Sequence, residues 1–257
     1  MPTIKATIQS EGFPVILLHG FCENKSMWFP YANKLTEQYQ IICPDLPGFG
    51  ESLLPNKDIT LEEIADELAD FMSEIKVEKC VVIGHSLGGY VALALAERHP
   101  NLIQGLGLFN STAMADDEEA KHRRNKSILF LKKHPVSKFI EPFIPSLFYS
   151  KRKEELKEEI ALATSIGLQS PLNTIIAYTL AMKIRKDRFK LWKSFPFQTL
   201  FVGGANDSRV PLEMAEKHIE ERANVDGYIL PETAHMAMHE RPTETIQMIQ
   251  DYLLKVV

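Results

Sequence analysis

A chain of 257 residues with 29 Lys and Arg against 34 Asp and Glu carries a formal net charge of −5. That balance is not one of a nucleic-acid binder, and 45% apolar with 25% charged residues describes one folded domain with a sizeable core, not a disordered chain. No run is long enough to span a membrane, and Met1 to Ser10 lacks both an apolar signal core and a basic flank, so a cytoplasmic protein without a membrane partner is expected.

Ile4, Ala6 and Ile8 alternate with polar residues and predict an edge strand. Pro14–Leu18 reads as a buried strand ending in His19-Gly20-Phe21, and Ser26 to Tyr39 as an amphipathic helix with Ser26 as its cap. Gln40–Pro44 is the next strand, followed by the turn-rich Asp45–Ser52 loop. Thr60 with Glu63 three residues on is a capping-box pattern opening a helix, whose apolar face runs through Leu61, Ile64, Leu68, Phe71 and Ile75. A strand over 79–84, a helix over 87–99 stopped by Pro100, and a strand over 102–109 come next. From Thr112 to Phe195 no strand pattern appears; helical pieces over 116–133, 151–167 and 172–186 are divided by prolines. Strands return at 198–202 and 226–230, with helices over 212–222 and 243–256. Alternating strands and helices predict an α/β fold with a mostly parallel central sheet covered on both faces. Its core spans 1–111 and 196–257, and 112–195 is an inserted helical lid. Cys22, Cys43 and Cys80 are odd in number and widely spaced, which fits no disulfide framework or zinc site and suits a reducing compartment.

Chemistry concentrates at Val81-Val82-Ile83-Gly84-His85-Ser86-Leu87-Gly88-Gly89. G-x-S-x-G between a buried strand and a helix is the pattern of a nucleophile elbow, a strained turn that raises a serine above the sheet. Ser86 then needs a base, and the base needs an orienting carboxylate. Of eight histidines, His235 lies in a loop after the last strand, on the sheet edge that carries Ser86; His239 is the alternative. The four-residue spacing of those two histidines suggests a metal only with an adjacent glutamate, which is missing, so neither a metal nor a cofactor is expected. Asp207 follows the penultimate strand and is the expected orienter; Asp116 and Asp117 open a helix, where aspartate more often serves the N-terminus. The backbone N–H groups of Leu87 and Phe21 are the expected oxyanion donors.

His19-Gly20-Phe21, Trp28, Asp45-Leu46-Pro47-Gly48-Phe49-Gly50-Glu51-Ser52, the elbow, Gly204-Ala205-Asn206-Asp207 with Val210-Pro211, and His235 with Glu240 and Pro242 together resemble the α/β-hydrolase fold superfamily over nearly the whole chain. Ala234 departs from the glycine that many relatives place there. The resemblance implies Ser86, Asp207 and His235 as the triad, and the lid is similar to those of small carboxylesterases and enol-lactonases. It disfavours epoxide-opening and dehalogenating relatives, which need aspartate at the elbow. The expected reaction is hydrolysis of a small-molecule carboxylic ester through an acyl-enzyme. Lactone, thioester and cofactor-free peracid chemistry remain open on the same triad, and a non-catalytic binding protein is disfavoured because no triad residue is lost. Phe130, Phe143, Phe148 and Tyr149 of the lid are the expected substrate-binding residues, as an apolar roof for an acyl chain. Between Thr112 and Phe195 seventeen Lys and Arg face ten Asp and Glu, against twelve and twenty-four elsewhere. Arg123, Arg124, Lys132, Lys133, Lys151, Arg152 and Lys153 therefore raise an anionic or carrier-bound substrate as a possibility beside that of a solvated, self-paired helix face. Oligomeric state is not legible.

Overall fold

The computed structural model describes residues 4–56 and 58–257, so the first three residues of the N-terminal stretch lie outside it. Strand β1 (Ala6–Gln9) pairs antiparallel with β3 (Tyr39–Pro44) at one edge. β2 (Phe13–Leu18), β4 (Cys80–His85), β5 (Ile103–Phe109), β6 (Thr199–Gly204) and β7 (Val225–Leu230) continue in parallel, in the order β1-β3-β2-β4-β5-β6-β7. The β-branched and leucine runs of β2, β4 and β6 are buried without alternation, as sheets covered on both faces require. Chain order reverses between β2 and β4, which are joined in the register Leu18 to Gly84. That reversal opens a crevice at the carboxyl ends of the strands, where open α/β sheets take their ligands.

Helices cover the sheet. α1 (Phe29–Leu35) is shorter than its pattern suggested: a 3-10 turn over Lys25–Trp28 precedes it, and Asn24, not Ser26, supplies the cap, its side chain accepting the Ser26 N–H at 2.9 Å. α2 (Leu61–Glu74) has its capping box of Thr60 and Glu63. α3 (Leu87–Arg98) leaves the elbow directly. Between β5 and β6 lie α4 (Glu118–Leu131), α5 (Val136–Phe143), α6 (Lys157–Leu168), α7 (Leu172–Lys183) and α8 (Phe189–Ser194). Pro142 sits inside α5, a helix the prolines had hidden, and Lys151–Arg152 belong to a separate 3-10 turn before α6. The chain closes with α9 (Leu212–Glu220), the short α10 (Ala237–Glu240) and α11 (Pro242–Val256). No single helix among the described residues is long and apolar enough to cross a membrane.

Both connections to the inserted helices are tied to α9 through one histidine. His218 Nε2 accepts the Ala113 N–H at 2.9 Å where the chain leaves the core, and its backbone carbonyl accepts Trp192 Nε1–H at 2.9 Å where the chain returns. His218 Nδ1–H donates to the Met214 carbonyl at 2.7 Å, so the ring is neutral with one donor and one acceptor. Burial pushes its pKa down from 6.5 to about 4. The unfolded chain takes up a proton that the folded one refuses, so this group's contribution disappears as pH falls from 6.5 toward 4. The loss reaches about 3 kcal/mol at the acid end. Thermal melts across that range should show a falling midpoint, with the NMR titration of His218 centred near pH 4.

Candidate active site

β4 delivers Ser86 at φ 49° and ψ −112°, a region that a side chain occupies only under strain. Surroundings hold it there. The Ser86 N–H donates to the Phe109 carbonyl at 2.9 Å, and the Ser86 carbonyl accepts from Ser111 Oγ at 2.7 Å and the Gly89 N–H at 3.0 Å. The turn closes tightly enough that a Cβ on Gly84 would lie 2.2 Å from the Gly88 carbonyl carbon.

The loops after β6 and β7 meet Ser86. His235 Nε2 lies 2.9 Å from Ser86 Oγ, and His235 Nδ1 lies 2.8 Å from Asp207 Oδ2. A carboxylate accepts from Nδ1–H, which assigns the free lone pair to Nε2, facing the serine hydroxyl. Asp207 Oδ1 accepts the N–H groups of Arg209 at 2.7 Å and Val210 at 3.1 Å, and Oδ2 also accepts Asn110 Nδ2–H at 3.1 Å. Burial alone would raise this carboxyl; the facing His235 and the backbone donors outweigh it and hold Asp207 below its usual range. Asn110 also donates to the Ala234 carbonyl at 2.9 Å. Nothing in the sequence marks Asn110 for this role, because 97 residues separate it from Asp207 and no local spacing links them.

The His235 loop is buttressed by a second carboxylate. Glu240 is 2% exposed; its Oε1 accepts the Ala234 N–H at 2.9 Å and the Met236 N–H at 3.3 Å, while its Oε2 accepts the Tyr149 N–H at 3.0 Å. The His235 N–H itself donates to the Leu147 carbonyl at 2.9 Å. Residues 147–149 of the inserted segment are thus bonded to the loop that carries the histidine.

On the β2 side, His19 Nε2 accepts the Leu46 N–H at 2.9 Å, which leaves Nδ1–H to donate to the Gly20 carbonyl at 2.8 Å. In a trans peptide the C=O and the following N–H point oppositely, so drawing the Gly20 carbonyl onto His19 turns the Phe21 N–H the other way. Phe143 packs edge-on against Phe21 at 6.0 Å and stacks on Phe139 at 5.2 Å. Phe148 is buried with its ring 6.1 Å from His239, and Tyr149 is half-buried. Phe130 is not brought to this group: it is exposed and lies against His134 at 4.3 Å. Asp117 caps α4 through the Ala120 N–H, and Asp116 pairs with Arg124 and Arg185, so neither aspartate is bonded to His235.

A family model described as the alpha/beta hydrolase fold matches residues 14–133. A thermophilic esterase from Thermogutta terrifontis is 30% identical, covering 98% of this chain and 93% of its own, and superposes with a TM-score of 0.93. The chain belongs to the α/β-hydrolase family. An enol-lactonase from Burkholderia xenovorans LB400 shares the α/β-hydrolase fold at 18% identity, covering 98% of this chain and 96% of its own with a TM-score of 0.88. Uncharacterized proteins of Mycobacterium bovis and Mycobacterium tuberculosis are 33% identical over 110 residues, 43% of this chain. The match spans 32% of the length of those curated relatives.

Proposed function

We propose that this α/β-hydrolase cleaves a small carboxylic ester by way of an acyl-enzyme on Ser86. The observation that carries the reading is the continuous relay Asp207–His235–Ser86, with contacts of 2.8 and 2.9 Å, ending on a serine held in strained torsions. His235 Nε2 takes the Ser86 proton as Oγ attacks the ester carbonyl. The oxyanion that forms meets the N–H groups of Phe21 and Leu87; Leu87 opens α3, so the positive end of that helix adds to the stabilisation. The proton on His235 passes to the leaving alcohol, the C–O bond breaks, and an acyl ester of Ser86 remains. Water then attacks that ester, giving a proton to His235, and as the second tetrahedral adduct collapses to the carboxylic acid the bond to Oγ breaks and His235 returns that proton to Ser86. Asp207 stays a carboxylate throughout and stabilises the imidazolium.

Segment 112–195 acts as the lid in this reading, with Phe143, Phe148 and Tyr149 shaping the acyl side. The cations raised as candidates to steer an anionic substrate, beside a solvated helix face, are partly occupied locally. Arg123 pairs with Glu119, Arg124 with Asp116 and Arg152 with Glu155, an arrangement that favours the solvated helix face over a docking surface. The test is turnover of p-nitrophenyl esters of increasing acyl length, with fluorophosphonate labelling of Ser86 in parallel. Turnover peaking at one acyl length, together with stoichiometric labelling, is the expected result. Labelling without ester turnover would move the substrate class to lactones or thioesters; absence of both would remove the serine-hydrolase reading.

A further inference from the structure

Behind the Gly20–Phe21 loop lies a buried pair of ionisable side chains that none of the hydrolytic steps uses. His85 is 1% exposed and Glu23 6%. The His85 ring has an oxygen at each nitrogen: Nδ1 is 3.0 Å from Glu23 Oε2, and Nε2 is 3.0 Å from the His235 backbone carbonyl. A carbonyl can only accept, so Nε2 bears hydrogen. The same Glu23 oxygen accepts the Gly20 N–H. The ordinary acid strengths, near 4 for a carboxylic acid and near 6.5 for an imidazolium, put the shared proton on the ring. His85 is then a cation and Glu23 its counterion. Burial disfavours charge on both, yet each outweighs that for the other, holding Glu23 below its usual range and His85 above.

These contacts join two loops through His85, which lies 62 residues beyond Glu23 and 150 residues before His235. One end of the pair grips the Gly20 N–H, beside the Phe21 donor; the other grips the carbonyl of His235, the base. The fit is close. A Cβ on Gly20 would lie 2.6 Å from both Glu23 Oε2 and His85 Nδ1, so glycine is what lets the loop reach the pair. We propose that Glu23 and His85 are positioning residues, a buried ion pair that locks the oxyanion loop and the general-base loop in register across the nucleophile. The proposal rests on the serine-hydrolase reading above.

The pair has a spectroscopic signature in the unaltered protein. Histidine 15N NMR should show both His85 nitrogens protonated at pH 7, where a free imidazole has lost most of its charge. The ring also faces His19, Asp207, His239 and the His235 ring at 5.2 Å, so the assignment needs His85→Gln for comparison. One bare His85 nitrogen at pH 7 overturns the ion pair. Kinetics per fluorophosphonate-reactive site then test the positioning. Glu23→Gln and His85→Gln should each lower kcat about 30-fold with KM changed by less than about threefold, because geometry and not ground-state binding is lost. The double variant should be no worse than about twofold below the weaker single, since either change alone uncouples the loops. Unchanged kcat, a loss confined to KM, or losses that multiply overturn the proposal. Where a glutamine variant does not fold, Glu23→Asp, which keeps the charge but shortens the reach, decides by the same kcat loss. A wild-type protein with neither turnover nor labelling would overturn the hydrolase reading itself, and this inference with it.

Discussion

Ser86→Ala should lower kcat by about 10⁵-fold while leaving the protein folded. The substitution removes only Oγ. The backbone bonds that hold the elbow, from Ser86 N–H to Phe109 and from Ser111 and Gly89 to the Ser86 carbonyl, are untouched, so the melting midpoint should move by a few degrees at most. His235→Ala should lose nearly as much, and the pair together no more than the worse single, because a serine without its base and a base without its serine are equally idle. Steady-state hydrolysis of the preferred p-nitrophenyl ester, with circular dichroism for the fold, measures all three. Losses that multiply would mean that the two residues do not act as one unit.

Asp207→Asn should cost about 10⁴-fold in kcat at neutral pH. Shape is nearly conserved, but an amide brings two donors to a place where every neighbour already donates. The Arg209 and Val210 N–H groups and Asn110 Nδ2–H all point at this carboxyl, as does His235 Nδ1. Oriented to satisfy the fixed backbone donors, the amide NH2 faces Nδ1 and asks it to accept. The imidazole must then take the tautomer with its hydrogen on Nε2, pointing at Ser86 Oγ, where it cannot act as a base. The carboxyl is held below its usual range in the folded protein, so its stabilising share is present above about pH 4 and is lost as pH falls further. Melting curves should accordingly show the wild type losing its advantage over Asp207→Asn below about pH 4. A variant that retains most of its kcat at pH 7 would argue that another acid orients His235.

The residues whose surroundings are local were legible from sequence. The apolar runs of β2, β4 and β6 could only be strands buried on both faces, and the Thr60–Glu63 pair marked its helix because both members lie within one turn. Ser86, Asp207 and His235 could be placed on one sheet edge because each follows a strand that the sequence marked, and the structure brings the three together. What escaped was what distant chain supplies. Asn110, Glu23 and the partner role of His85 depend on contacts across 97, 62 and 150 residues, and no periodicity encodes these. α5 was missed because its prolines read as breaks. Pro142 interrupts one turn near the C-terminal end of α5 and only there. Phe130 illustrates the limit of composition: counted among the lid aromatics, it faces outward against His134.

The carboxylate of Glu240 has a kinetic consequence. It accepts the Tyr149 N–H and the Ala234 and Met236 N–H groups flanking His235, while the Leu147 carbonyl accepts the His235 N–H directly. In the proposed reading roof and base therefore share fasteners, and opening residues 147–149 would strip the Leu147 and Tyr149 bonds from the His235 loop while leaving Asp207 on the ring. If segment 112–195 is the lid proposed above, such an enzyme would screen its substrates by whether they allow closure. An oversized ester can dock well and still turn over slowly, so size discrimination should be read in kcat, where an ordinary tight pocket would write it in KM.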